Sequence, residues 1–117
     1  MFHCIIDSSA ILYSIEKKID IKYYITKHFN GKTIFYITNC IFYEASRVKY
    51  SKVLIENFIK LYKINLINCK HKYKYGDYCI RKTLNKISSL ILLTNDTLLL
   101  KKIKKKHATL NFISLLK

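Results

Sequence analysis

Ser89-Leu90-Ile91-Leu92-Leu93-Thr94-Asn95-Asp96 (SLILLTND) is an unbroken apolar run that ends in a hydroxyl, an amide and a carboxylate. Residues 89–94 lack the polar alternation of a strand with one wet face, and the run is short. The spacing predicts a strand covered on both sides, as in a parallel sheet. Residues 2–7 (FHCIID) read the same way, as a short buried strand, and SSAILYSIEKK follows as a helix that Asp7, Ser8 or Ser9 can cap. Residues 20–29 predict a second helix, closing at Asn30-Gly31, a C-cap signal. TIFYIT (33–38) is the next strand, and Thr38 or Asn39 caps a helix from about 40 to 49. SKVLIENFIKLY carries apolar residues at helical spacing. INLI (64–67) is a short strand leading into the loop CKHKYKYGDYC (69–79), which gives way to a helix through Lys86. Residues 97–106 make a basic helix, and LNFIS (110–114) a last strand. Strands alternating with helices imply an α/β domain with a mostly parallel central sheet flanked by helices. At 117 residues and 50% hydrophobic content, the chain suits one domain, residues 1–117, and is too short for two.

Twenty-two basic residues oppose seven acidic ones, for a net charge of +15. That balance points to a polyanion, with nucleic acid the first choice, rather than to a membrane or a small-molecule substrate. No apolar stretch approaches the ~20 residues of a membrane span, and MFHCIIDSSA has no secretory character. A soluble intracellular protein is expected, with four cysteines kept reduced for metal binding or for plain burial.

With so few acids, each can be asked what it is for. Glu16, Asp20 and Glu56 sit among lysines and read as solvated structure. Asp7 and Asp96 fall at strand carboxyl ends, where ligand sites of open parallel sheets form. Asp7, Asp77 and Asp96 each also qualify as helix N-caps. Glu44 does not, because it lies beyond the N3 position of a helix capped at Thr38 or Asn39. Gathering Asp7, Glu44, Asp77 and Asp96 in a basic protein calls for cations between them, and hard oxygen ligands select Mg²⁺ or Mn²⁺. Such a site can cleave a phosphodiester.

The order of Ile6-Asp7-Ser8-Ser9, Glu44, Asp77 and Thr94-Asn95-Asp96 resembles the PIN-domain nuclease family. LYSIEKKIDI, YITNCIFYEASR, NCKHKYKYGDYC and LLTNDTLLLKKIKK make the chain similar, from residue 3 to about 114, to the PIN endonuclease branch of the eukaryotic small-subunit processome. The resemblance implies a PIN-like fold and a divalent-metal-dependent endoribonuclease for precursor rRNA in small-subunit maturation. It implies processome proteins and a guide RNA as partners, in the nucleus and nucleolus. Asp7, Glu44, Asp77 and Asp96 would hold Mg²⁺ or Mn²⁺, with Ser8 or Ser9 orienting Asp7 or touching a phosphate. The alternative it carries is an inactive, zinc-stabilised RNA-binding assembly factor.

The same branch pairs a Cys, a Cys-x-His and a Cys, matched by Cys40, Cys69, His71 and Cys79, a set suited to a closed structural Zn²⁺ site. Cys40 is one helical turn before Glu44, and Cys79 is two residues after Asp77, so zinc would pin two acid-bearing segments together. Cys4 is expected to be a buried hydrophobe. Lys72, Lys74, Lys101, Lys102 and Lys105 are the expected RNA contacts, with Tyr73, Tyr75 and Tyr78 able to stack on unpaired bases. Leu98 stands where the family often places a further acid, and Ala108-Thr109-Leu110 replaces a Gly-Val-Pro.

Overall fold

The computed structural model describes residues 1–48, 52–69, 76–103 and 107–115. In chain order the elements are β1 (Phe2–Ile6), α1 (Ser8–Lys17), α2 (Ile21–Phe29), β2 (Thr33–Thr38), α3 (Asn39–Val48), α4 (Lys52–Leu61) and β3 (Asn65–Ile67). They continue as α5 (Gly76–Lys86), β4 (Ile91–Thr94), α6 (Thr97–Ile103), β5 (Thr109–Asn111) and α7 (Phe112–Leu115). Among the described residues, five strands form one sheet in the order β3-β2-β1-β4-β5, with every neighbouring pair parallel. The predicted α/β class and parallel sheet are therefore what the chain adopts.

Burial explains the unbroken apolar strands. Cys4, Ile5 and Ile6 of β1 are fully buried, as are Leu92 and Leu93 of β4, so consecutive residues pack into both faces of the sheet. Ile11 of α1, Ile21 and Ile25 of α2, Ile41 and Ala45 of α3, Ile80 and Leu84 of α5, and Leu99 and Ile103 of α6 join them in one core.

Caps set the boundaries. Asp7 caps α1 by accepting from Ser8 N, and Asp20 caps α2 by accepting from Tyr23 N. Thr38 Oγ1 accepts from Ile41 N at 3.2 Å and so opens α3. Asn30, in the left-handed region at φ 52°, closes α2, one residue before the glycine.

Two elements depart from expectation: α5 begins at Gly76, inside the stretch 69–79 expected as a loop, and the carboxyl end differs as well. The final strand spans Thr109–Asn111, not 110–114, and Phe112–Leu115 turns into a short helix. Asn111 Oδ1 accepts from Ser114 N at 3.0 Å, and this cap diverts the chain out of the sheet.

In a fully parallel sheet all carboxyl ends share one edge. The strand order brings Cys69 after β3, Cys40 after β2, Asp7 after β1 and Asp96 after β4 to that edge, one beside the next. The chain builds outward from β1 to β2 and β3, then restarts on the other flank with β4. The reversal between β1 and β4 is the crevice where open sheets form sites.

Candidate functional site

Asp7 lies at that crevice, its amide donating to Leu93 O at 3.0 Å and its side chain only 5% exposed. Both carboxylate oxygens are held. Oδ1 accepts from Ser8 N at 2.8 Å, and Oδ2 accepts from Ser9 Oγ at 2.8 Å and from Thr94 Oγ1 at 2.7 Å. Each hydroxyl has one hydrogen, and both hydrogens go to Oδ2. The 3.1 Å approach of Ser9 Oγ to Thr94 Oγ1 is therefore a contact between two donors already committed to the same carboxylate. Their lone pairs serve the next loop, with Ser9 Oγ accepting from Asn95 N at 3.1 Å and Thr94 Oγ1 from Asp96 N at 3.0 Å.

Glu44, half-buried on α3, meets Asp7 across one hydroxyl. Ser8 Oγ is 3.1 Å from Glu44 Oε1 and 3.5 Å from Asp7 Oδ1. A single hydrogen shared between two carboxylates leaves much of their repulsion uncompensated, and carboxylate oxygen has lone pairs to spare for a cation. The donor set thus fits Mg²⁺ or Mn²⁺, whose preference is for oxygen.

Asp96 is exposed, and its Oδ1 accepts from Leu98 N at 3.0 Å and Leu99 N at 3.1 Å, so it is the N-cap of α6. Its link to Asp7 runs through Thr94. Leu98 is 68% exposed in the first turn of the same helix. Asp77 lies in the first turn of α5, with its side chain outside those described. Lys101 and Lys102 are exposed on α6. His71, Lys72, Tyr73, Lys74, Tyr75 and Lys105 lie outside the described residues.

Next to the acids, three thiols converge. The sulfurs of Cys40, Cys69 and Cys79 all lie within 4.8 Å of one another, and the Cys40 and Cys69 pair is 3.6 Å apart. Thiolates at about 2.3 Å from a tetrahedral zinc stand roughly 3.8 Å from each other, so the trio is gathered closely enough to share that ion. Asn39 Nδ2, donating to Asn68 Oδ1 at 3.2 Å, ties the two strand ends that carry Cys40 and Cys69. Cys79 Sγ donates to Thr38 Oγ1 at 3.2 Å. Burial pushes its thiol up to about 12, with Thr38 opposing and the neighbouring Cys40 and Cys69 adding to the rise. Sequence reasoning named Thr38 only as a helix cap and missed its contact with Cys79. Cys4 is fully buried in the core and burial raises its thiol to about 12, the inert position expected of it.

Among the described residues, no helix is long and apolar enough to cross a membrane.

Comparison with known proteins places this arrangement. The chain is similar to the rRNA-processing protein fcf1 of Schizosaccharomyces pombe, with 27% identity over 104 residues, covering 89% of this chain and 54% of that protein. It thus spans about half the length of the curated relative it matches. The structure of the PIN domain endonuclease Utp24 superposes with a TM-score of 0.82 at 26% identity, over 93% of this chain and 84% of that one. A chain of the DNA-bound VapBC complex from Salmonella typhimurium shares the fold alone, at 14% identity and a TM-score of 0.54, over 95% of this chain and 98% of that one. The pattern of the Fcf1 family matches residues 27–113, from the end of α2 through β5 and into α7. The chain therefore belongs to the Fcf1 family and folds as a PIN domain.

Proposed function

We propose that the protein is a divalent-metal-dependent endoribonuclease that cuts precursor rRNA during small-subunit maturation. One observation carries the reading: Asp7 is oriented by three donors at the sheet's switch point, with Glu44 facing it across Ser8. A carboxylate that only capped α1 would need the Ser8 amide; the two hydroxyls on Oδ2 hold the group to one rotamer, as positioned chemistry demands. Asp7, Glu44, Asp77 and Asp96 would hold Mg²⁺ or Mn²⁺. Bound there, the ion would activate water and stabilise the departing 3′ oxygen. Cys40, Cys69 and Cys79, with His71, would hold a structural Zn²⁺ that keeps β2, β3 and α5 in register. The net charge of +15 supports an RNA substrate, with Lys72, Lys74, Lys101, Lys102 and Lys105 as contacts. The rRNA-processing relative supports a place in the nucleus and nucleolus, among processome proteins and guide RNA.

Leu98 favours a second reading, a zinc-stabilised assembly factor that binds RNA without cutting it. Wild type and Asp77→Asn would be compared on RNA spanning the 5′ boundary of the mature small-subunit rRNA, with manganese present and zinc retained. The nuclease reading expects cleavage by wild type alone. Equal binding by both with cutting by neither would turn the assignment to the assembly factor.

A further inference from the structure

Residues 78, 81, 82 and 85 recur at helical spacing along one face of α5. Tyr78, Arg81, Lys82 and Asn85 line a recess of about 360 Å³. A smaller hollow of about 50 Å³ shares Arg81 and Asn85 and is walled on its far side by Lys102, Ile103 and His107. The shared walls make the two a single trough between α5 and the end of α6. Three cations line it, and among the described residues no carboxylate does.

Asn85 adds a directed donor. Its Oδ1 lies 3.2 Å from His107 Nε2, whose N–H it accepts in the neutral imidazole. His107 Nδ1 is buried with no partner among the described residues. With the proton on Nε2, Nδ1 is a bare lone pair, not a stranded N–H. The amide oxygen of Asn85 is engaged by His107, which leaves its NH₂ as the donor it can offer a ligand. The trough thus offers a half-exposed tyrosine ring, cations and an N–H donor, which suits a ligand of unpaired bases and phosphates.

Position strengthens the match. Tyr78 directly follows Asp77, so the trough begins at the acid-bearing edge and leads away from it. From Tyr78 to Asn85 the helix rises about 10 Å, roughly three stacked nucleotides. We propose that the α5–α6 trough is a single-stranded RNA subsite, holding the nucleotides that flank the bond offered to the carboxylates. The assignment rests on the ribonuclease reading above.

Fluorescence anisotropy of a short single-stranded oligoribonucleotide, titrated with the full chain without added magnesium or manganese, tests it. Arg81→Gln/Lys82→Gln removes two charges from the trough, and Lys22→Gln/Lys27→Gln removes two from the exposed face of α2. The trough pair should weaken binding about tenfold near physiological salt and lower the salt slope by roughly 1.4. The α2 pair should leave both close to wild type. Tyr78→Leu should weaken single-strand binding about fivefold or more and spare duplex RNA, whose bases are already stacked. All of these positions are exposed, and circular dichroism would verify that the variants fold. Equal losses from the two charge pairs would reduce the effect to a diffuse field and overturn the subsite while leaving the RNA reading intact. Unchanged single-strand affinity in Tyr78→Leu would overturn its preference for unpaired strands. Failure of wild type to bind single-stranded RNA at all would overturn the ribonuclease reading and the subsite with it.

Discussion

Thr94→Val tests whether the hydroxyl cage around Asp7 is a built device. The substitution is nearly isosteric, and Thr94 is fully buried, so the change is confined to one oxygen and its two bonds. The first is the 2.7 Å donation to Asp7 Oδ2; a bond to a charged group contributes about 1.5–3 kcal/mol. The second is the 3.0 Å acceptance from Asp96 N; stranding that partly buried amide costs about 1 kcal/mol. The new methyl returns up to ~0.8 kcal/mol of burial. The net loss should be about 2–3 kcal/mol, or a fall in Tm of roughly 10 °C for a domain of this size. Urea unfolding without added magnesium or manganese reads it as a lower midpoint at constant slope. Ser9→Ala should cost less, since Ser9 is only half-buried. The double variant should lose about 1 kcal/mol more than the two singles together, because either hydroxyl alone still covers Oδ2 and their joint removal leaves it bare. A Thr94→Val loss below about 0.5 kcal/mol, or strict additivity, would refute the cage.

Other consequences can be measured independently. Asp96→Asn keeps an oxygen to accept from Leu98 N and Leu99 N, so stability should hold within about 0.5 kcal/mol while RNA cleavage falls, whereas Asp96→Ala should also lose about 1 kcal/mol of cap. If the Asp96→Asn variant cleaves like wild type, the residue is a cap and nothing more. Zinc content by atomic absorption should drop in Cys40→Ser and in Cys69→Ser but stay at wild-type level in Cys4→Ser; equal loss in all three would sink the thiol site. Burial raises the Cys4 thiol from 9.0 to about 12, so the folded state keeps a proton that the unfolded state releases above pH 9. Its stabilising contribution is complete below pH 9 and declines as pH climbs towards 12, with a limiting slope of about 1.4 kcal/mol per unit. The urea midpoint of Cys4→Ala should fall less steeply than that of wild type across this window, and parallel curves would contradict the assignment.

The layout of the fold was legible because its strongest signals are local. Runs such as CII and LLT are dry on both faces, as in a covered parallel sheet, and Asp7, Thr38 and Asp96 announce helices through bonds that span one to three residues. The error at the carboxyl end has the same origin. LNFIS alternates plausibly as a strand, but Asn111 reaches Ser114 N and closes a turn, a short-range bond that overrides a weak periodic preference.

The site was legible only in part, since its decisive contacts join residues far apart in the chain. Glu44 stood out because no capping or pairing rule explained it, and the structure supplies the missing reason in Ser8, 36 residues earlier. Nothing near Thr94 in the sequence reveals that its hydroxyl meets Asp7 across 87 residues. That contact exists because β1 and β4 are neighbours at the switch point, and adjacency of strands is a property of topology, not of composition. The same edge explains why thiols and carboxylates sit side by side without sharing ligands. Cys40 and Glu44 occupy successive turns of α3, so the helix that β2 launches offers sulfur at its start and oxygen one turn later. On the proposed reading, zinc held by Cys40, Cys69 and Cys79 would fasten the first turn and so fix the second against Asp7. Such a soft-ligand clamp would set the distance between two acids while staying out of their chemistry.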